Sequence, residues 1–486
     1  MGRVNRIFLT TFIIVAILLL SACSKKKPPE PELPKYKWTI LGYFDGNNSE
    51  DQTPDGHSYV IQDLQELEQI DSTEEVQILV MLGSFKTDGD CKYYHVETHL
   101  NEPPDVISSE VLLDVGKPDM SYPTTLRDFI SYTVRNYPAE HYMLIINDHG
   151  GGWKGVCSDN VNGNGNWMSL PDLSFALSGF GFDIIWFYTP SMATAEVAYQ
   201  IKDRAEYMIA SQFKWYPDNI MGSSIWLPSL TDNPDIDVRG FAMKVNEAID
   251  SAAQIISPKR RFQSVLIHLP KISKVATDVS NLGRNLIDST GSYWAEVWYA
   301  WEASDISYDC DSAFVDLREF ARQIQIQPNL NSAIKNNADA LETSVNDAVL
   351  AEFMWPAEYT KHSGISIYFP WKRDDFDSTD YAPLDFSVTT EWHNFISVFI
   401  QSFSGSYAGA INIMSKPTGA RVYLNDVDTG DTTNVIIGGL LPGSYDIKLV
   451  KSGYPVRIRE GIRVYPQQTT PVFINLIYGS PNTMSL

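Results

Sequence analysis

The sequence predicts an α/β body with a mostly parallel sheet flanked by helices, followed by a small all-β sandwich. Three observations carry this. Short uninterrupted apolar runs, such as residues 143–146 in MLIINDHGGGW and 76–82 (VQILVML), suit strands covered on both faces. Such runs alternate with helix-like segments, the pattern of a parallel sheet with helical crossovers. After Ser404 the composition changes, and short runs of strand formers are punctuated by Pro and Gly turns.

The elements follow in order. Residues 38–44 form a first strand that ends in Asp45-Gly46-Asn47-Asn48. Apolar residues at 60, 61, 64, 67 and 70 have helical spacing. Residues 76–82 form a second strand, and 93–100 and 106–113 form two more polar ones. Pro123 opens a helix carrying Leu126, Phe129, Ile130 and Val134, which Pro138 stops. The 143–146 strand follows, and then Ser169-Leu170-Pro171-Asp172, which has the cap, proline and acid of a helix start. Residues 182–187 (FDIIWF) form a further buried strand leading to a helix over 192–205. Strands at 264–269 and 364–370 and helices at 272–287, 315–324 and 392–403 continue the body. From Ile411 to Ile477, turns at Pro417, Asn425, Gly438 and Pro442 divide a β domain.

The chain has 486 residues and a formal charge of −23, from 37 basic and 60 acidic side chains. That length accommodates two or three domains. The acids are dispersed and no basic stripe occurs, which argues against nucleic acid as a partner. Arg3 and Arg6 precede the apolar stretch 7–20 and the order Leu20-Ser21-Ala22-Cys23, a signal-peptide pattern too short for a comfortable membrane span. It resembles a bacterial lipobox, which implies lipidation of Cys23. Ser24 after it resembles lipoproteins sent to an outer membrane or cell surface. Residues 24–35 (SKKKPPEPELPK) read as a solvated tether. The remaining cysteines, Cys91, Cys157 and Cys310, are odd in number and have no zinc spacing. Asp159-Asn-Val-Asn-Gly-Asn-Gly-Asn does not fit an EF-hand, so an Asn/Gly loop is expected. Neither a metal nor a cofactor is implied.

His149 lies beyond the carboxyl end of a strand, where open α/β sheets place ligands. Gly150, Gly151 and Gly152 allow positive φ and close approach of another segment. A cysteine or serine hydrolase needs a nucleophile within reach of such a histidine. The next strand-to-helix turn, after Phe187, is where it belongs.

The segments LIINDHGGGWKGV and FDIIWFYTPSMATAEVAYQIKDRAEYMIAS resemble the clostripain family of cysteine peptidases, with support from WTILGYFDGNN, Val315-Asp-Leu and GISIYFP. The resemblance covers roughly residues 37–403 and implies a caspase-like fold. His149 matches the family's catalytic histidine. The second loop of the family reads Asp-Ala-Cys-Leu-Met, where this chain reads Tyr188-Thr189-Pro190-Ser191-Met192. Pro190 therefore occupies the nucleophile's position, and Tyr188 that of the acid that shapes a pocket for basic side chains. Proline offers neither a thiol nor a backbone N–H. Ser191 and Cys157 are the candidate substitutes.

Residues 411–478 resemble a PEGA domain, on Pro417-Thr418-Gly419-Ala420, Leu441-Pro442-Gly443 and Gly453-Tyr454. The expected organisation is a lipoprotein signal over 1–22, a tether over 23–36, a clostripain-like domain over 37–403, a linker over 404–410 and the β domain. The expected function is a lipid-anchored envelope protein whose peptidase-type domain binds a peptide or protein without cleaving it, with Gly150, Gly151 and Tyr188 lining the cleft. The rival is a peptidase in which Ser191 or Cys157 serves His149. Glycan binding through Tyr454 and Tyr465 of the β domain is a third possibility.

Overall fold

The computed structural model describes residues 36–48, 51–70, 72–214, 221–256, 262–288, 293–307, 313–355, 362, 364–371, 373–403, 408–465 and 468–477. The lipobox, the tether up to residue 35, and Cys310 lie outside the described residues, and Tyr36, expected as the tether's last residue, begins the first strand.

A nine-stranded sheet forms the centre of the body, in the order β12-β10-β9-β8-β5-β1-β2-β3-β4. Its five middle strands are β9 (Ala205–Ala210), β8 (Phe182–Tyr188), β5 (Ala139–Asn147), β1 (Tyr36–Gly46) and β2 (Val76–Ser84). They are mutually parallel, with Ile40 opposite Ile78 and Met143, and Met143 opposite Ile184. Antiparallel pairs extend both edges: β3 (Cys91–His95) with β4 (Glu110–Gly116), and β10 (Phe262–His268) with β12 (Val349–Trp355). The sheet is thus mixed, parallel at its centre.

Both faces are buried, and this is why the central strands are mostly apolar. Leu144, Ile146, Ile185 and Phe187 join one apolar layer. Met143, Ile145, Ile184 and Trp186 join the layer on the opposite face. Alternate residues of a strand point to opposite faces, so both faces are mostly apolar, and the buried polar residues Thr39 and Gln77 are hydrogen-bonded to the Tyr137 and Thr73 carbonyls.

The helices begin where local capping permits. Ser58 caps α1 (Tyr59–Leu67), Pro123 opens α2 (Pro123–Asn136), and Ser169 caps α3 (Leu170–Leu177). The helix expected over 192–205 is shorter. Thr194 accepts the Val197 N–H and starts α4 (Ala195–Ile201), and the apolar run after Arg204 becomes β9. The strand expected over 106–113 starts later, because the Ser108 and Ser109 N–H groups donate to Glu68 Oε1 at the end of α1. Helices α5 (Ser223–Thr231), α6 (Val238–Ile256), α8 (Trp294–Ser304) and α10 (Ser332–Ala348) and strand β12 lie in stretches where the sequence suggested no element. Between them run α7 (Ile272–Asp288) and α9 (Leu317–Ile326), and α11 (Trp392–Phe403) closes the body. Strands β11 (Phe314–Asp316) and β13 (Ser366–Tyr368) pair separately.

The C-terminal β domain comprises a three-stranded and a four-stranded sheet around a separate core containing Ile411, Ile413, Val422, Ile447, Leu449 and Val472. Arg463 donates to Glu302 of α8 at 2.7 Å, and the Tyr465 ring lies 5.5 Å from that of Tyr299. Tyr465 therefore faces the body, whereas Tyr454 is 38% exposed. No described helix is long and apolar enough to cross a membrane.

Candidate active site

The strand register puts the two predicted loops side by side. Asn147 of β5 pairs with Tyr188 of β8 in parallel, so His149 and Pro190 each lie two residues beyond a matched pair. The glycines show how tightly the loops meet. A Cβ on Gly150 would stand 2.1 Å from the Pro190 carbonyl oxygen and 2.9 Å from Thr189 Oγ1. Gly152 has φ +61°, and a Cβ there would stand 2.6 Å from the Phe314 ring. Close approach explains the first glycine, and the left-handed backbone contributes to the second.

His149 is half-buried, and its ring centroid lies 6.2 Å from that of Trp167. Its loop is closed by hydrogen bonds from Cys157 N–H to the His149 carbonyl and from Gly151 N–H to that of Gly155. The hairpin of β6 (Val156–Ser158) and β7 (Trp167–Met168) carries Trp167 to this position. Gly151 faces the Trp167 ring, which a Cβ would meet at 3.2 Å. Trp167, 38% exposed, went unrecognised in the sequence because only the hairpin brings it to His149.

On the second loop Tyr188 is 7% exposed, packed edge-on against Trp186 with ring centroids 5.3 Å apart. Thr189 is 1% exposed, and its hydroxyl has no hydrogen-bond partner. Pro190 is half-buried. Ser191 is buried at φ +58°, and its N–H donates to the Phe213 carbonyl. The following helix is anchored by Glu196, whose Oε1 accepts the Tyr368 N–H and the Tyr381 hydroxyl. Burial raises the Glu196 carboxyl above its ordinary range.

A group of acids beside these loops was not anticipated as a group. Asp45 ends β1, Asp148 directly precedes His149, and Asp159 follows β6. Asp159 accepts from Asn47 Nδ2, Met120 N–H and the N–H groups of Val161 and Asn162, so it organises the Asn/Gly loop as an acceptor of N–H groups. Asp148 accepts from Asn48 Nδ2 at 2.7 Å and from the Ser158 N–H. Burial first, and then the neighbouring acid, pushes Asp45 and Asp148 well above the ordinary carboxylate range. Cys157 is wholly buried, and burial plus the same acids pushes its thiol well up. That disfavours the thiolate that a nucleophile needs. Adjacent strand ends bring these acids together, a proximity that sequence spacing does not reveal.

Residues 43–399 match the clostripain family, and residues 408–478 match the PEGA domain. Clostripain of Hathewaya histolytica is 24% identical over 330 residues, covering 57% of this chain. The chain spans 62% of that relative's length. A secreted C11 cysteine protease from Bacteroides thetaiotaomicron, solved with an irreversible peptide inhibitor, is 20% identical with a TM-score of 0.55, covering 74% of this chain and 99% of its own. An inactive zymogen C11 protease from Parabacteroides distasonis is 20% identical with a TM-score of 0.51, covering 75% and 99%. These two share the fold.

Proposed function

The chain belongs to the clostripain family, and from that premise we propose that it is a cell-envelope lipoprotein whose peptidase-type domain binds a peptide or protein without cleaving it. One observation carries this reading: the loop that the β5–β8 register sets beside His149 reads Tyr188-Thr189-Pro190-Ser191-Met192, and on its resemblance to the family's second loop Pro190 stands for the nucleophile. Proline has no group to form an acyl intermediate, so the covalent route is absent rather than slowed. The cleft remains a place for an extended peptide, and the related B. thetaiotaomicron protease holds a peptide inhibitor. Tyr188 supplies no carboxylate to pair with a buried guanidinium, so the cleft favours apolar or aromatic side chains over Arg and Lys.

Residues 1–22 serve as the signal in this reading, lipidated Cys23 holds the chain at a membrane surface, and 404–410 link the body to the PEGA-like spacer. Anchoring rests on the lipobox sequence, and the extracytoplasmic setting fits the secreted relative. The test is cleavage of peptide libraries, with basic and aromatic side chains before the scissile bond, by the purified chain. No turnover is expected. Turnover that His149→Ala abolishes would overturn the reading in favour of a substitute nucleophile such as Ser191 or Cys157. Pro190→Cys with Tyr188→Asp is expected to restore thiol-dependent cleavage of basic substrates.

A further inference from the structure

Asp45, Asp148 and Cys157 each present one donor atom, and these atoms lie within 4.8 Å of one another. They come from the ends of the adjacent strands β1 and β5 and from β6. Asp45 is 1% exposed and Cys157 0%. Oδ1 of Asp45 accepts the Asn47 N–H, whereas its buried Oδ2 has no donor. The nearest carboxylate oxygens of Asp45 and Asp148 lie within 4.8 Å of each other. Two ionised carboxylates have no proton to share, and a third acid, Asp159, stands beyond Asn47, which donates to both Asp45 and Asp159. A buried acid pair facing further acids needs either a proton or a cation. The thiol adds a soft donor to two hard ones, a set suited to zinc; calcium and magnesium take oxygen ligands.

We propose that Asp45, Asp148 and Cys157 form a largely buried three-ligand site for a thiophilic divalent cation of the zinc type. An outer shell of donors orients the ligands, as metal carboxylates require. Asn48 Nδ2 and the Ser158 N–H hold Asp148, and the Asn47 N–H holds Asp45. Three protein ligands leave the fourth tetrahedral position to water. Binding breaks the Cys157 S–H bond, forms a sulfur–metal bond and releases the proton to solvent, along with any proton held by the carboxyl pair. Affinity therefore falls as pH falls. Asp148 precedes His149, and the Cys157 N–H donates to the His149 carbonyl, so the cation clamps that loop. This inference stands whether or not the cleft cleaves peptides.

The test is titration of the metal-stripped full chain with cobalt(II), an optical stand-in for zinc. The expected result is one equivalent bound, with thiolate-to-cobalt charge-transfer absorption that zinc displaces. Cys157→Ser abolishes that absorption, Asp45→Asn weakens binding, and Asn48→Ala, which removes the donor to Asp148 and to the Asp45 carbonyl, weakens it roughly 10–100-fold. Absence of charge-transfer absorption in the wild type overturns the proposal, as does absorption that survives Cys157→Ser. Should circular dichroism show Cys157→Ser unfolded, Asp45→Asn decides: unchanged cobalt affinity overturns the proposal, and weakened affinity supports it.

Discussion

Gly150→Ala isolates the contact between the two loops. A Cβ there would stand 2.1 Å from the Pro190 carbonyl oxygen, against the 3.0 Å below which such contacts essentially do not occur. The obstructing atom belongs to the backbone, so no side-chain rotation relieves the clash, and the loops must separate by about 1 Å. Gly150 is absent from the positive-φ residues, so the effect is steric rather than conformational. Overpacking of this kind costs about 1–3 kcal/mol. Gly151→Ala is the control, because its nearest contacts are side-chain atoms at 3.2–3.4 Å. For a body this large, 2 kcal/mol lowers Tm by only roughly 2–4 °C, so urea denaturation is the sharper assay. Gly150→Ala is expected to lower the urea midpoint well beyond Gly151→Ala at unchanged m. Equal midpoints for the two variants would refute the juxtaposition of the His149 and Pro190 loops.

Three further outcomes are expected. Glu196→Ala leaves the Tyr368 N–H and Tyr381 hydroxyl without their acceptor, and should cost about 2–3 kcal/mol in urea unfolding. Thr189→Val removes a buried hydroxyl that has no partner while keeping its shape, and should leave stability unchanged or raise it by about 1 kcal/mol in the same assay. Burial pushes Glu352, on the edge strand β12, up to about 7 from 4.5. Between these values the folded state holds more protons than the unfolded chain, so this group's stabilising contribution is full below the lower value and is lost as pH rises through the window. The loss approaches about 3 kcal/mol. Glu352→Gln should therefore gain stability relative to wild type between about pH 5 and about pH 8; a difference independent of pH would refute the assignment.

Much of the central sheet was legible because its strands are buried on both faces and are mostly apolar along their length. Residues 143–146 and 182–187 were recognised for this reason. Strand β9 was not, because its apolar run continues a helical pattern, and only the turn at Arg204 separates the two. Strand β12 is an edge strand of half-buried residues, so it carries no continuous burial signal. Helices α5, α6, α8 and α10 belong to the layers packed on the sheet, and no sharp motif marks them.

The sequence by itself determined the parts of the site that are local: a histidine after an apolar strand, glycines after the histidine, and a second loop after the next buried strand. It also determined the small β domain, since turn residues and alternating strand formers act over a few positions. What only the tertiary structure decided is which groups share space. The parallel register of β5 and β8 set the two loops together and explained Gly150. The ends of β1, β5 and β6 gathered Asp45, Asp148 and Cys157, which lie 103 and 9 residues apart along the chain. Such proximity follows from strand order and register, which are set by the packing of the whole sheet rather than by any short stretch of sequence.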